Sequence, residues 1–92
     1  MPFVYILRCS DNTLYVGHTD DLQARLLAHN SGHATRYTAA RRPVHLADSE
    51  NFNTQAEARG REHQLKRWSA KKKEALIAGD LPTLKQLSKP RK

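Results

Sequence analysis

A lone carboxylate, Glu62, lies where a predicted helix should bury apolar side chains. It follows Ala58 by four residues and precedes Leu65 by three, and this spacing places all three on one face of a helix. Burying an isolated charge is unfavourable, so a carboxylate on this face must be paired or must bind a cation. The spacing therefore allows two interpretations, a salt bridge to a nearby arginine and a ligand of a metal ion.

Arg25 and His29 are four residues apart, which places them one above the other on a helix. An arginine fork can clamp a phosphate, and a histidine one turn later can relay a proton. The ordinary alternative is a surface arginine paired with Asp21, together with a histidine at the boundary of the core. The pattern alone allows both.

Two tyrosines, Tyr5 and Tyr15, fall in two predicted neighbouring strands, where tyrosines often serve only to pack a sheet. A two-residue turn between the strands would put them on opposite faces of the sheet. A three-residue loop ending at a left-handed Asn12 would pair Leu7 with Tyr15 and place both tyrosines on one face. We predict the three-residue loop, because it leaves the other face uniformly apolar. That face would carry Val4, Ile6, Leu14 and Val16.

Three predicted strands and four predicted helices must position these side chains, which indicates an α/β chain of the α+β kind. The strands are predicted at residues 3–9, 13–17 and 43–49. The helices are predicted at residues 21–29, 54–67, 70–78 and 80–87. Residues 33–42 are predicted to form a polar loop. The length fits a single domain over residues 1–87, followed by a loose basic tail at 88–92.

Two of these helices carry further local signals. Thr19 or Asp20 is expected to cap the first helix. Its packing face is expected to hold Leu22, Leu26 and Leu27. The second helix should open with a capping box from Thr54 to Glu57. Gly60 makes that helix about 1 kcal/mol less stable than alanine would, so either the backbone is approached closely there or the helix is weak.

Basic residues are concentrated in the second half of the chain. The 92 residues contain 16 Lys and Arg against nine Asp and Glu, a net charge of +7, and residues 51–92 account for all of this excess. Such a surface favours an anionic partner, either nucleic acid or a membrane surface. No apolar run approaches the ~20 residues of a membrane span. A single cysteine, Cys9, fits a reducing compartment, and we expect a cytoplasmic location.

A basic stretch flanks Trp68, and the excess of positive charge favours phosphate binding over solubility alone. Its members are Arg59, Arg61, Lys66, Arg67, Lys71, Lys72 and Lys73. Several other kinds of site are excluded. The chain has no glycine-rich phosphate loop and no nucleophile elbow. His29 and His33 have a zinc-like spacing but lack the partner cysteines of a zinc site.

Taken in order, these motifs resemble the GIY-YIG nuclease superfamily. The segments that carry the resemblance are Phe3-Val4-Tyr5, Tyr15-Val16-Gly17, Asp21-Leu22 with Arg25-Leu26 and His29, and Glu57-Ala58 with Glu62-His63. The likeness is greatest to the small stand-alone, single-domain bacterial branch. It extends through residues 5–11, Tyr37-Thr38 and residues 41–44.

The resemblance implies a small three-stranded sheet flanked by helices and cleavage of phosphodiester bonds with one divalent cation, Mg²⁺ or Mn²⁺. It implies that Glu62 holds the metal and that Arg25 binds the scissile phosphate. Tyr5 and Tyr15 would position and deprotonate the attacking water, and His29 would relay protons. Which tyrosine is the base stays open. The remaining nucleic-acid contacts would be Gly17, His18, Arg36, Tyr37, Arg41, Arg42, Lys66 and Arg67.

The sequence therefore predicts a metal-dependent DNA endonuclease in DNA repair or processing. Its substrate could be branched or single-stranded DNA. Sequence specificity should be low or supplied by a partner protein, because no separate recognition domain is recognisable. Two alternatives stay open: a nucleic-acid-binding module with little or no catalytic activity, and a nuclease directed at RNA. The motif set disfavours a membrane partner.

Overall fold

A three-stranded antiparallel sheet carries the fold, with its first strand in the middle. The computed structural model describes residues 1–87 of the chain. Strand β1 (Phe3–Arg8) pairs with β2 (Leu14–Thr19) on one side and with β3 (His45–Asn51) on the other. Helices α1 (Leu22–Asn30) and α2 (Arg36–Ala39) lie between β2 and β3 in the chain. Helices α3 (Gln55–Lys66), α4 (Ala70–Ala78) and α5 (Leu81–Leu87) follow β3. The predicted α+β class is confirmed.

The β1–β2 hairpin has the predicted register. Leu7 pairs with Tyr15, and the Cys9 N–H donates to the Thr13 carbonyl at 2.9 Å. Asn12 closes the three-residue loop with a φ of 71°, in the left-handed region that asparagine tolerates. Because side chains alternate along a strand, this register places Tyr5 and Tyr15 on one face of the sheet.

Each face of the sheet is covered by different helices. The face opposite the tyrosines forms a core with α3 and α4, whose buried members are Val4, Ile6, Val16, Ala58 and Leu65. The tyrosine face forms a second cluster of Tyr5, Leu7, Cys9 and Val44, against which Leu22 and Leu26 of α1 pack. Leu27 does not join it, contrary to expectation, and is 69% exposed. One residue past Leu26 is a turn of about 100° around the helix, which rotates Leu27 towards solvent.

Helix α1 begins one residue later than expected. Its N-cap is Asp21, whose carboxylate accepts the Ala24 N–H at 3.1 Å, so the prediction of Thr19 or Asp20 was wrong. The Thr19 hydroxyl instead binds the backbone of Asp21. Within residues 1–87, Asp21 forms no salt bridge with Arg25, so the pairing that the alternative interpretation of Arg25 required is not present.

Part of the predicted polar loop is helical. Residues Arg36–Ala39 form α2, capped by Thr35, whose hydroxyl accepts the Thr38 N–H at 3.2 Å. Strand β3 starts at His45 rather than at Pro43, because the Asn30 side-chain amide engages both the N–H and the carbonyl of Val44. Val44 is therefore held by α1 and not by the strand ladder.

The remaining helices follow their predicted caps. Thr54 and Glu57 form the capping box of α3, Ser69 caps α4, and Gly79 ends α4 with a φ of 69°. Within residues 1–87, no helix is long and apolar enough to cross a membrane. The single-domain extent of residues 1–87 stays a prediction, and the predicted basic tail at 88–92 lies outside the described residues.

Candidate active site

A buried chain of hydrogen bonds links β1, α1 and α2. The Tyr5 hydroxyl lies 2.8 Å from Nε2 of His29, and Nδ1 of His29 lies 2.8 Å from Oγ1 of Thr38. Both His29 and Thr38 are fully buried. Thr35 continues the chain, with its Oγ1 2.9 Å from Oγ1 of Thr38. The imidazole is therefore fixed at both of its nitrogens.

The surrounding donors select one tautomer of His29. The Arg25 Nε–H donates to the Tyr5 oxygen over 3.4 Å, so this oxygen already acts as an acceptor. If Nε2–H of His29 also donated to it, the Tyr5 O–H would have no protein acceptor within residues 1–87. All donors are satisfied when Tyr5 donates to Nε2 and Nδ1–H donates to Thr38. His29 is then a neutral ring whose Nε2 can take up the phenol proton.

Burial and charge reinforce this assignment. Burial, helped by the positive charge of Arg25, lowers the pKa of His29 below its ordinary value. Burial raises the pKa of Tyr5, against the opposing hydrogen bond and charge of Arg25. At neutral pH the proton accordingly rests on Tyr5, with a neutral imidazole beside it.

Gly17 makes room for this arrangement. It pairs with Tyr5 across the hairpin, and a Cβ atom at position 17 would lie 2.4 Å from the Tyr5 hydroxyl oxygen. The space that glycine leaves is therefore filled by the Tyr5 ring of the same chain. Gly17 was predicted as a nucleic-acid contact, and the packing of the Tyr5 ring is a reason within the chain itself for a glycine at this position.

An aromatic stack leads from His29 to the surface. The Tyr15 ring meets His29 edge-on at a centroid distance of 5.2 Å, and Tyr37 lies 5.9 Å beyond Tyr15. The Arg41 guanidinium lies over the Tyr37 ring at 3.8 Å and also binds Asp11. Tyr15 is half-buried, whereas Tyr5 is only 2% exposed. Tyr15 is thus the tyrosine closer to solvent.

Glu62 lies on the side of β2 opposite the two tyrosines. Its Oε1 is 2.6 Å from Nδ1 of His18, and its Oε2 is 3.0 Å from Nζ of Lys66. Burial alone would raise the pKa of Glu62, but the hydrogen bonds from Lys66 and His18 outweigh it and hold that pKa below its usual value. Among the described residues 1–87, Glu62 forms no salt bridge with an arginine, contrary to one of the two interpretations considered. The partners are a histidine and a lysine.

Strand β2 connects the two halves of the site. It lies at an edge of the sheet, and its consecutive residues Gly17 and His18 face opposite sides. Gly17 lies against Tyr5, and His18 contacts Glu62. After burial, the charge of Glu62 is among the smaller influences that raise the pKa of Tyr5. We call Tyr5, Tyr15, Arg25 and His29 the tyrosine half of the site, and Glu62 with His18 the carboxylate half. The two halves lie on either side of β2, close enough for the charge of Glu62 to affect the pKa of Tyr5.

Within residues 1–87, the site offers a divalent cation one carboxylate ligand, Glu62. No group of three or more His, Cys, Asp and Glu side chains comes together anywhere in residues 1–87. Glu62 is 15% exposed, and the Lys66 ammonium, 51% exposed, already places a positive charge on its Oε2. A hard cation at this carboxylate would take its other ligands from water and phosphate oxygens, as Mg²⁺ readily does.

The predicted nucleic-acid contacts divide into two groups. Arg36, Tyr37, Arg41 and Arg42 lie on α2 or directly after it, and Arg42 donates to the Ala39 carbonyl at 3.0 Å. Lys66 ends α3, and Arg67 is its C-cap. Arg36, Arg42, Lys66 and Arg67 are exposed.

Comparison with known proteins places this site in a family. The GIY-YIG catalytic domain matches residues 1–75, a span that contains both tyrosines, Arg25, His29 and Glu62. The chain belongs to the GIY-YIG family. Its matched part begins before β1 and ends within α4, so α5 lies beyond the matched GIY-YIG region.

Small bacterial GIY-YIG relatives share most of the chain. It is 49% identical over 75 residues to a UPF0213 protein of Bacillus pumilus, an alignment covering 82% of this chain and 76% of the relative. A Staphylococcus aureus UPF0213 protein is 47% identical over 75 residues, covering 82% of this chain and 92% of the relative. These names specify no reaction.

Two solved structures have the same fold. The solution structure of the UPF0213 protein BH0048 from Bacillus halodurans matches with a TM-score of 0.55 and 38% identity, covering 85% of this chain and 84% of that one. The solution structure of EF2693 from E. faecalis matches with a TM-score of 0.58 and 33% identity, covering 98% and 91%. The predicted membership in the small stand-alone GIY-YIG branch is confirmed.

The sequence prediction of the site missed Thr38. It was noted only as part of the family-like segment Tyr37-Thr38, inside a predicted loop. The available signal was Thr35, since a threonine can cap a helical turn by accepting the N–H of the residue three positions later. The role of Thr38 as the partner of His29 depends on the docking of α2 against α1, which sequence spacing does not reveal.

We expect Thr38→Val to lower the free energy of unfolding by about 1–3 kcal/mol, because it leaves the buried Nδ1–H of His29 without an acceptor. Under the nuclease function proposed below, it should also lower the rate of DNA cleavage, since His29 is no longer restricted to one tautomer. Urea denaturation and a cleavage assay measure the two effects. Thr38→Ser restores the hydroxyl and should recover both. A serine variant as impaired as the valine variant would contradict a positioning role.

The stability of the fold should fall at mildly acid pH. The pKa of His29 is lowered in the folded chain, whereas in the unfolded chain it should be near 6.5. Between these two values the unfolded chain binds more protons. The contribution of His29 is therefore complete above about pH 6.5 and is lost as the pH falls towards the folded pKa.

Melting temperatures measured between about pH 7.5 and 5 test this expectation. The wild-type protein should lose stability more steeply in this range than His29→Gln, whose side chain does not titrate. Equal slopes would show that His29 is not held neutral.

Proposed function

We propose that the chain is a divalent-metal-dependent endonuclease that hydrolyses phosphodiester bonds in DNA with low sequence specificity, in DNA repair or processing. The observation that carries this proposal is the Tyr5 hydroxyl, held between the Arg25 guanidinium and Nε2 of a neutral His29. A hydroxyl used only for packing needs no buried base and no guanidinium beside it. Membership in the GIY-YIG family supports the same reaction class.

In this proposal Tyr5 accepts a proton from the attacking water and passes its own proton to Nε2 of His29. Arg25 favours the phenolate that forms transiently, because it donates to the same oxygen. General base catalysis of this kind commonly contributes about 10²–10⁴-fold to a rate. Thr38 keeps Nε2 of His29 free to receive the proton.

Arg25 serves the phosphate as well. Its Nε–H is directed to Tyr5, and the four terminal N–H groups of an arginine fork stay available for phosphate oxygens. A guanidinium in this position offsets the charge that develops on the phosphate during attack. Arg25 therefore connects substrate binding to the base.

Tyr15 has a different place in the proposal. It contacts the edge of the His29 ring and, being half-buried, can reach solvent. We assign it to orienting the water or the phosphate. The motifs left open which tyrosine is the base, and the proposal takes Tyr5.

Glu62 would hold the divalent cation, Mg²⁺ or Mn²⁺, and a cation bound there would supply Lewis acidity to the phosphate. Lys66 must then move from Oε2, which its exposed and flexible side chain permits. With one protein ligand, the affinity for metal in the absence of DNA should be low. His18 orients the carboxylate from β2.

DNA is the proposed partner because α3, which carries Glu62, also carries the exposed cations Arg59 and Lys66 and is followed by Arg67. Contacts to phosphates carry no sequence information, which accounts for low specificity. Branched or single-stranded DNA would present such phosphates as well as duplex DNA does. A partner protein could add specificity.

One observation favours a second candidate, a nucleic-acid-binding module without catalytic activity. Both oxygens of Glu62 are already paired, with His18 and with Lys66. A carboxylate satisfied in this way could serve only to fix β2 against α3. An RNA-directed nuclease would use the same groups on another substrate.

Cleavage assays with and without metal distinguish these candidates. The protein is incubated with supercoiled plasmid, branched DNA, single-stranded DNA and RNA, each with Mg²⁺, Mn²⁺ or EDTA. We expect DNA cleavage with either metal and none with EDTA. Cleavage in EDTA would contradict metal dependence, and preferential cleavage of RNA would identify the RNA nuclease. Salt-sensitive binding without cleavage of any substrate would identify the binding module.

A further inference from the structure

A groove on α3 lies outside the site described above. It has a volume of about 530 Å³ and is lined by Gly60, His63, Gln64, Arg67 and Trp68. These positions recur at intervals of three and four residues, so they form one stripe along the helix. Its size is within the range of about 300–1,000 Å³ that is typical of small-ligand sites.

Gly60 opens this groove, and no contact within the described chain explains why a glycine is found there. A glycine inside a helix lowers its stability by about 1 kcal/mol relative to alanine. Elsewhere in the described chain, Gly17 fits the Tyr5 ring, but a Cβ at position 60 would have no atom within 4 Å. Nothing within residues 1–87 therefore requires a residue without a side chain at position 60. A molecule that approaches the helix closely from outside would require one.

The lining of the groove suits an anionic ligand. Arg67 and His63 are both exposed, and no acidic side chain is among the lining residues. Three further exposed cationic side chains lie on α3 or early in α4: Arg59, Lys66 and Lys71. Lys66 also contacts Glu62, so the positive surface continues from the proposed cleavage site towards the groove.

Trp68 gives the groove an aromatic wall. It is half-buried, and Lys72 and Arg61 lie over its ring at 4.1 Å and 5.1 Å, so a base that stacks on the face they cover takes the place of a flexible cationic side chain. An aromatic surface beside cationic groups is the combination on which proteins stack unpaired bases of single-stranded nucleic acid. Duplex DNA does not offer such a base, because its bases are already stacked.

We infer that the α3 groove, lined by the five residues from Gly60 to Trp68 named above, binds an unpaired nucleotide of single-stranded DNA. The base lies against Trp68 above Gly60, and its phosphate contacts Arg67. The inference rests on the proposed function only for the class of ligand, and it does not require cleavage. It adds a preference for DNA that is single-stranded next to the cleavage site.

Trp68 itself can report on the groove, because it is the only tryptophan of the chain. The probe is a short oligothymidylate, titrated in EDTA so that no cleavage occurs, beside a duplex of the same length. Saturable quenching of tryptophan fluorescence is expected with the oligothymidylate, and weaker quenching with the duplex. Binding without a change in fluorescence, or no binding, would overturn the inference.

Gly60→Leu should fill the groove without changing any charge. We expect it to weaken oligothymidylate binding about fivefold or more, the loss expected for one stacked base. Ala56→Leu is the matched control, since it adds the same side chain one turn earlier on α3, outside the groove. Equal affinities of the two variants would overturn the inference. If Gly60→Leu does not fold, as judged by circular dichroism, Gly60→Gln and its control Ala56→Gln replace the pair.

The same proteins are then assayed for plasmid cleavage, so that the two proposals can fail separately. A wild-type protein that cleaves DNA while Gly60→Leu binds normally refutes the groove and leaves the nuclease intact. A protein that binds oligothymidylate through the groove but cleaves nothing refutes the nuclease and leaves the groove intact.

Discussion

Glu62→Gln is expected to reduce the rate of DNA cleavage by roughly 10²–10³-fold or more, because it neutralises the proposed protein ligand of the metal. Glutamine keeps the shape of the side chain, so the packing of α3 on the sheet should survive. DNA binding in EDTA should be retained or strengthened, since one negative charge beside Lys66 is removed. Nicking of supercoiled plasmid and fluorescence anisotropy measure the two properties.

Glu57→Gln is the matched control for this variant. It makes the same substitution on the same helix, and glutamine can still close the capping box with Thr54. Its cleavage rate should equal that of the wild type. If Glu62→Gln cleaved DNA within a few-fold of the Glu57→Gln rate, Glu62 would be a structural partner of His18 and not a metal ligand.

Tyr5→Phe is expected to lower the cleavage rate by about 10²–10⁴-fold, the usual contribution of a general base. The ring that packs over Gly17 remains, but the oxygen shared by Arg25 and His29 is lost. The free energy of unfolding should fall by about 1–3 kcal/mol, because the buried Nε2 of His29 loses its partner. Single-turnover cleavage and urea denaturation provide the measurements.

Two comparisons sharpen this prediction. Ser49→Ala removes an exposed hydroxyl from the residue that pairs with Tyr5 on β3, and it should leave cleavage unchanged. Tyr15→Phe should impair cleavage less than Tyr5→Phe, since Tyr15 only orients. A larger loss in Tyr15→Phe would reverse the two roles and make Tyr15 the base.

Local signals were enough to predict the hairpin and most helices. The register followed from Asn12 and from the alternation of apolar side chains, and these decide which residues share a face. The capping box at Thr54 and Glu57 determined the start of α3 from four consecutive residues. Each of these features depends on neighbours in the chain, which is why the sequence alone was informative.

Features that depend on distant contacts were missed. Helix α2 has four residues, too few to be stable alone, and it exists because Thr38 is buried against His29. Strand β3 starts late because Asn30 of α1 captures Val44. Leu27 is as apolar as Leu26, and only the docking angle of α1 decides which of them is buried.

The candidate site was predicted in the same uneven way. The motif spacing identified the residues, and the register brought Tyr5 and Tyr15 together. His29 is fully buried, whereas the sequence suggested a position at the boundary of the core. Only one partner of Glu62 lay beyond the reach of local spacing. Lys66 follows Glu62 by four residues on α3, an ordinary helical pair that spacing can indicate, whereas His18 is 44 residues away in sequence.

The position of β2 between two half-sites also bears on how the protein is made. During synthesis the hairpin, α1 and α2 leave the ribosome first, and these elements carry Tyr5, Tyr15, Arg25, His29 and Thr38. The carboxylate half waits for α3, because Glu62 follows His18 by 44 residues. Under the proposed mechanism, cleavage needs both halves. A nascent or truncated chain could therefore hold DNA without cutting it, and the cell would meet an active nuclease only once α3 had docked.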